Sequence, residues 1–283
     1  EGADEQYRSL TVAKILLDAM RKRVDQEKKG VRRAAVSAPP PPPAADRRDL
    51  INTLDMRLAL TKKRFDKDLE KYQGWLNLLT RSPKFRQRSL IIVFEGSDAA
   101  GKGGSIRRIT GALDARQYQT IPIAAPTEEE RAQPYLWRFW RHAPRTGRVT
   151  IFDRSWYGRV LVERVEGFAP EADWMRAYAE INDFEDQLVR NGALVVKFWL
   201  AITAEEQLKR FKEREKTRFK RFKITAEDWR NRKKWDDYEH AVCDMIDRTS
   251  TEITPWTLVE ANDKYHARIK VLKTLCDRLE AGL

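Results

Sequence analysis

The sequence predicts an α/β fold: a three-layer arrangement with a parallel five-stranded sheet between helices. Three observations predict it. Five short strand-like segments alternate with stretches of helical periodicity, the order that places helices on both faces of a parallel sheet. Leu90-Ile91-Ile92-Val93-Phe94 is an unbroken apolar run, which suits a strand buried on both faces. A glycine-rich turn follows that run at once and opens into a helical stretch.

Along the chain, residues 4–24 carry Tyr7, Leu10, Ile15, Leu16, Met20 and Val24 at helical spacing. Five consecutive prolines at 39–43 follow. Proline fixes φ and donates no hydrogen bond, so this is an extended spacer. The expected organisation is therefore 1–45 as an N-terminal helix and linker and 46–283 as the main domain. From Asp46 a leucine-rich stripe (Leu50, Leu54, Leu58, Phe65, Leu69, Tyr72, Leu76, Leu79) predicts one long amphipathic helix ending at Ser82-Pro83. After the apolar run the expected order is strand 118–125, helix 127–142, strand 148–153, helix 171–190, strand 193–200 and helix 203–216. Helix 235–248, strand Trp256–Glu260 and helix 262–281 complete it.

Composition narrows the classes. Hydrophobic residues make up 41% of the 283 and aromatics 10%, enough for a core and too much for global disorder. No stretch approaches eighteen apolar residues, so no membrane partner is expected. Only Cys243 and Cys276 occur, with no metal-type spacing, which fits a reducing compartment and a cytoplasmic protein. Lys+Arg 55 against Asp+Glu 43 leaves +12, which suggests a polyanionic partner.

The strongest motif is Phe94-Glu95-Gly96-Ser97-Asp98-Ala99-Ala100-Gly101-Lys102-Gly103-Gly104. Gly96, Gly101 and Lys102 satisfy the Walker A spacing G-x-x-x-x-G-K. Such a loop, with Ala99, Ala100, Gly103 and Gly104, turns backbone N–H groups toward phosphate oxygens at the positive end of a helix. Lys102 is expected to reach the terminal phosphates. Gly103 stands where a Ser or Thr hydroxyl normally holds Mg²⁺. An acid inside a phosphate loop makes sense when a divalent cation bridges the two, so Asp98 is a candidate metal ligand and Ser105 a fallback; Asp98 as a plain turn or cap residue stays open. Asp153 ends an apolar strand within Val149–Arg159, where ligand sites of α/β sheets lie, and is the second candidate metal ligand. Arg154 follows with a guanidinium suited to phosphate. A helix cap at Asp153 with a surface arginine is the alternative. Glu163 and Arg164 could face the same site or form a solvated pair.

The third signal is the basic tract over 209–234, with Lys209, Arg210, Arg214, Arg218 and Lys220. It is either a solvated face or a lid closing over phosphates. So many cations suit a long polyphosphate chain or nucleic acid.

Taken in order, GSDAAGKGGSI, DRSWYGRVLVERVEGF, RFKEREKTRFKRFKI, KKWDDYEHAVCDMIDRTST and PWTLVEANDKYHARIKVL resemble the polyphosphate kinase 2 family over roughly residues 50–280. The resemblance implies a thymidylate-kinase-like P-loop kinase fold with a helical basic lid at about 209–234. It implies phosphoryl transfer between inorganic polyphosphate and nucleotides with Mg²⁺ as cofactor, and no nucleic-acid partner. By position it implies Asp98 and Asp153 as metal ligands, Lys102 and Arg154 as phosphate ligands and Arg214 as a lid arginine on the transferred group. Arg210, Arg218 and Lys220 are expected beside it. The wording DRSWYGRVLVERVEG resembles the C-terminal half of two-domain polyphosphate:AMP phosphotransferases, so AMP to ADP is the expected reaction. A homo-oligomer, or fusion to a second homologous domain, is the expected assembly. Gly158 and Lys216-Thr217 depart from many single-domain relatives, which carry Asn and Asp-Pro there. ADP or GDP phosphorylation, an ATP-dependent nucleoside monophosphate kinase and a basic nucleic-acid-binding module are the rival readings. A duplicated half that has lost catalysis is weighed against the intact acids and Lys102.

Overall fold

The structure is a computed structural model that describes residues 4–28, 50–51 and 53–283. The proline run and the expected helix start at Asp46 lie outside the described residues. The chain divides into two compact units, Glu1–Pro42 and Pro43–Leu283. The first contains α1 (Glu5–Lys28), whose first turn is capped by the Asp4 carboxylate accepting from Tyr7 N at 2.9 Å.

The second unit runs α2 (Lys62–Arg81), β1 (Ser89–Gly96), α3 (Lys102–Thr110), β2 (Tyr118–Pro122), α4 (Glu128–Arg131) and α5 (Trp137–Trp140). It continues β3 (Val149–Asp153), α6 (Val162–Val165), α7 (Glu171–Arg190), β4 (Ala193–Ala201), α8 (Ala204–Lys216) and α9 (Ala226–Lys233). It ends with α10 (Trp235–Thr249), β5 (Trp256–Glu260) and α11 (Lys264–Gly282). The five strands form one parallel sheet in the order β2-β3-β1-β4-β5.

Side chains alternate across the sheet with period two, so each strand feeds two cores. Leu90, Ile92 and Phe94 of β1 and Val196 and Phe198 of β4 pack with Leu76 of α2, Ile109 of α3 and Leu272 and Leu275 of α11. Ile91, Val93 and Val195 face the other way, onto Trp156, Tyr157, Ile181 and Phe184 and onto Val242 and Met245 of α10. The order changes direction beside β1: β2 and β3 lie on one side, β4 and β5 on the other. Ligand crevices of open α/β sheets form there, off the strands' C-terminal ends. The register sets Asp153 opposite Phe94 and Trp199 opposite Glu95 at that edge.

Two expected helices differ. The long helix begins only at Lys62, capped by Thr61 Oγ1 accepting from Arg64 N at 3.3 Å. Its leucine stripe serves two cores: Leu50 and Leu54 pack on the α10 side, whereas Phe65, Tyr72 and Leu76 pack on the α11 side. One straight helix cannot reach both faces of a sheet, so the chain turns between them. The expected helix 127–142 is two single turns, α4 and α5, with Pro134 between them. A proline cannot supply the amide that a continuous helix needs there.

Candidate active site

The loop between β1 and α3 is built by backbone constraint. Gly96 has φ +147°, and a Cβ there would meet Leu200 O at 2.5 Å, so only glycine lets β1 end against β4. Ala99 (φ 64°) and Arg154 (φ 65°) hold left-handed conformations that non-glycine residues rarely adopt. Such strain persists where the surroundings enforce it, commonly at functional sites.

Four expected site residues converge at this edge. Arg154 Nη2 donates to Asp98 Oδ1 at 3.1 Å, and Asp98 and Asp153 both act electrostatically on Lys102. Asn231 Nδ2 of α9 donates to Asp98 Oδ2 at 2.9 Å, and Gln207 Nε2 of α8 donates to the Asp98 carbonyl at 3.2 Å. Glu95, buried behind the loop, accepts from Ser155 Oγ at 2.8 Å. Burial pushes its carboxyl up from the ordinary value, against the pull of Lys102. Burial of Arg154 works against its charge, but Asp98 and Glu95 outweigh it and the guanidinium stays firmly charged.

Lys102 is folded back: its Nζ donates to Gly96 O at 2.7 Å and Ser97 O at 3.4 Å. Burial, with the Arg154 charge behind it, pulls its pKa down. The lysine thus closes its own loop.

Two clefts of about 830 and 840 Å³ flank the loop. The first opens on the α10 side of the sheet. Leu161, Val162, Trp199, Trp235, Tyr238 and Val242 give it apolar walls, and Glu95, Gly96, Asp98, Arg154 and Asn231 give it a polar end. The Trp199 indole N–H is buried without a partner in the described structure, and Trp235 Nε1 donates to Glu239 Oε1 at 2.8 Å. The second cleft is walled by Ala99, Ala100, Gly101, Gly104 and Ser105, by Arg210, which pairs with Glu206, and by five further cations, Arg214, Lys220, Lys223, Lys264 and Arg268, with Glu213 its one acid. None of those five cations makes an ion pair among the described residues. Burial lowers the pKa of Arg214, Lys264 and Arg268, and the neighbouring cations Arg210 and Arg108 add to the effect at Lys264 and Arg268 respectively.

Arg210 stands in the wall of the second cleft, as expected of a residue beside the phosphates, but its donors are turned onto the protein itself. Only 3% exposed, it donates to the carbonyls of Ala99 (2.9 Å), Ala100 (3.1 Å), Ala261 (2.7 Å) and Asn262 (2.8 Å) and to Glu206 Oε1 (2.7 Å). It braces the loop against the end of β5. Arg218 lies exposed in the 3₁₀ turn Arg218–Lys223 and, like Lys102, Gly103 and Asp153, lines neither cleft. Glu163 and Arg164 point to other partners, Arg159 at 2.9 Å and Asp244 at 2.7 Å. Of the basic tract, α9 is tied down: Arg230 and Lys234 reach Glu166 at 3.0 and 3.3 Å.

Sequence reasoning missed Lys264 and Arg268. Their segment reads as a helix start, and Asp263 does cap α11 through His266 N at 2.7 Å. The signal was their i, i+4 spacing, which puts two cations on one helix face. It also missed Trp199, Trp235 and Tyr238 as cleft walls, because an aromatic lining a cavity reads like an aromatic in a core.

The profile described as Polyphosphate kinase 2 (PPK2) matches residues 59–282. The chain belongs to the polyphosphate kinase 2 family. It is 61% identical over 282 residues to the polyphosphate:AMP phosphotransferase of Pseudomonas aeruginosa, covering 100% of this chain and 56% of that protein. The crystal structure of putative polyphosphate kinase 2 from Pseudomonas aeruginosa PA01 matches with a TM-score of 0.88 at 60% identity, over 100% of this chain and 56% of that one. Polyphosphate Kinase 2 from Arthrobacter aurescens TC1 matches with a TM-score of 0.77 at 36% identity, over 81% of this chain and 84% of that one. This polyphosphate kinase 2 chain thus spans little more than half the length of its Pseudomonas relative. No helix among its described residues is long and apolar enough to cross a membrane.

Proposed function

We propose that the chain transfers a phosphoryl group from inorganic polyphosphate to a nucleotide, AMP to ADP, with Mg²⁺. The observation that carries this reading is the second cleft. Five cations without ion-pair partners among the described residues surround the backbone of a phosphate loop, and two of them, Arg214 and Arg268, are half-buried at a cost to their charge. Unpaired buried charge is unfavourable unless a counter-charge arrives, and a polyanion supplies it. The first cleft, apolar and aromatic with a polar end at Asp98 and Arg154, suits a nucleotide whose phosphate meets that end. The two substrates then approach the loop from opposite faces of the sheet. The names of the Pseudomonas relatives support the same pair of substrates.

Asp98 and Asp153 would hold the metal. Two hard carboxylates suit Mg²⁺, which keeps waters and takes substrate phosphate oxygens for the rest of its shell. No cluster of three or more His, Cys, Asp or Glu placed to hold a metal occurs among the described residues, so the protein would offer an ion these two carboxylates. The metal, when bound, neutralises phosphate charge. Arg154 and Asn231, which donate to Asp98, orient its carboxylate at the polar end of the first cleft. An oxygen of the AMP phosphate attacks the terminal phosphorus of polyphosphate. The bond to the penultimate phosphate breaks, and the polymer leaves one unit shorter. The attacking oxygen is already ionised, so no general base is required. Lys102, turned out from Gly96 and Ser97, and Arg154 and Arg214 steady the loose phosphoryl group in line.

We place this catalytic body in residues 46–283, with the basic lid at about 209–234 and 1–45 as helix and linker. We place the protein in the cytoplasm, which fits the lack of any disulfide among the described residues. Its working form pairs it with a second homologous domain or a second copy. Two equilibrium titrations test the division of the site. AMP should quench the tryptophan fluorescence of the first cleft, and polyphosphate should bind beside it without competing. Replacing Arg214, Lys264 and Arg268 together by methionine should abolish polyphosphate binding and leave that of AMP. Mutual competition, or loss of AMP binding, would contradict the reading.

A further inference from the structure

Below the first cleft lies a buried ionic network that the proposed chemistry does not use. Lys197 of β4 and Glu185 of α7 pair at 2.8 Å with 0% and 1% of their side chains exposed. Every polar atom of the pair is occupied. Glu185 Oε1 accepts from Trp156 Nε1 at 3.0 Å and from the Tyr157 hydroxyl at 2.7 Å. Glu185 Oε2 accepts from Lys197 and from Thr254 Oγ1 at 2.8 Å. Lys197 Nζ also donates to the Tyr157 hydroxyl oxygen at 2.7 Å and to Thr249 O at 2.8 Å.

A buried ion pair is poor evidence for stability, since well-packed apolar residues of the same volume serve as well or better. What an apolar pair could not do is accept from Trp156 and Tyr157. These residues follow Asp153-Arg154-Ser155 directly. Arg154 holds φ 65°, a conformation that its surroundings must impose. The turn is anchored at each step: Arg154 N donates to Phe94 O at 3.0 Å, Ser155 Oγ to Glu95, and Trp156 and Tyr157 to Glu185.

We infer that Glu185 and Lys197 are positioning residues: their buried pair fixes the Trp156–Tyr157 turn and so holds Arg154 and Asp153 where phosphoryl transfer requires them. The inference rests on the proposed reaction for the roles of Arg154 and Asp153, and on geometry alone for the anchoring. A pre-set arginine matters because misplacing a group in a transfer site by about an ångström can slow the reaction roughly a hundredfold.

Two double variants separate anchoring from charge. Glu185→Gln with Lys197→Met removes both charges and keeps an acceptor for Trp156 and Tyr157. Glu185→Leu with Lys197→Met removes the charges and the acceptor. For the parent and both variants we would measure melting temperature, kcat and KM for AMP and polyphosphate, and amide exchange across 154–158. The Gln/Met variant should keep kcat within threefold of the parent. The Leu/Met variant should lose at least tenfold in kcat, with both KM values within threefold and exchange at 154–158 at least tenfold faster. A folded Leu/Met variant with parental kcat and parental exchange would overturn the inference. Should that variant not fold, Tyr157→Phe decides. It removes one anchor and leaves the ion pair; some loss in melting temperature is expected from the hydrogen bonds that Glu185 and Lys197 lose, and kcat of the folded variant should fall at least threefold; a parental kcat would overturn the inference. A parent chain that does not phosphorylate AMP from polyphosphate sinks the proposed function instead, and the exchange rates still decide the anchoring.

Discussion

Replacing Arg210 by methionine should unfold the protein early, where loss of a mere phosphate ligand would leave it standing. The side chain is 3% exposed and its donors are committed to four backbone carbonyls and Glu206. Methionine fills much of the volume but leaves those carbonyls without donors and Glu206 without its closest cation. Removing one partner of a buried charged network costs about 3–5 kcal/mol. For a body of this size each kcal/mol moves the melting temperature by about 2–4 °C, so a drop of about 6–20 °C is expected. Arg214→Met provides the contrast. Arg214 donates to one carbonyl, Lys223 O at 3.3 Å, and burial already disfavours its charge. That variant should melt within about 2 °C of the parent, or slightly above it, and lose polyphosphate turnover. Scanning calorimetry and steady-state assays read both. An Arg210→Met protein that melts like the parent but no longer binds polyphosphate would refute the brace and restore Arg210 as a ligand.

Lys264→Met and Arg268→Met should each raise the KM for polyphosphate roughly tenfold, the value of one charge-assisted contact, with no fall in melting temperature; an unchanged KM would remove α11 from the binding wall. Asp98→Asn and Asp153→Asn should lose most of kcat and bind Mg²⁺ more weakly by calorimetry, while circular dichroism shows the fold intact. Full turnover in either would cancel its assignment as a metal ligand. Glu95 titrates above its ordinary 4.5 because it is buried. A group with its pKa raised in the folded state stabilises fully below the unfolded value, and that contribution is lost as pH rises through the folded one. Glu95→Gln cannot ionise, so its melting temperature should gain on the parent as pH rises above 4.5; parallel curves from pH 4.5 to 8 would show that Glu95 is not held protonated.

What could be read from the sequence was whatever depends on local spacing. The apolar run at 90–94 is short and is followed at once by a glycine loop, which favours a buried strand over a helix, so β1, the loop and α3 follow from about a dozen residues. Asp153 could be placed at the end of β3 because the apolar run before it stops there. The leucine stripe from Leu50 to Leu79 misled, since periodicity reports burial and not which of two cores does the burying. The inward turn of Arg210 was hidden for a related reason. In a run of cations, nothing local tells the one turned inward onto backbone carbonyls from those turned toward a ligand. Lys264, Arg268 and Asn231 reach the loop from far along the chain, and only the parallel order of the strands brings them there. The network of Glu185, Lys197 and Tyr157 was illegible for the same reason: its members are scattered over three elements, and each alone reads as an ordinary residue.

The most direct measurement is the initial rate of ADP formation from AMP by the purified chain with Mg²⁺, polyphosphate as donor in one series and ATP in another. A cationic wall that seats a phosphate polymer beside the loop predicts a polyphosphate-driven rate at least tenfold above the ATP-driven one, with loss of one polymer phosphate per ADP made. A rate that appears only with ATP would contradict it.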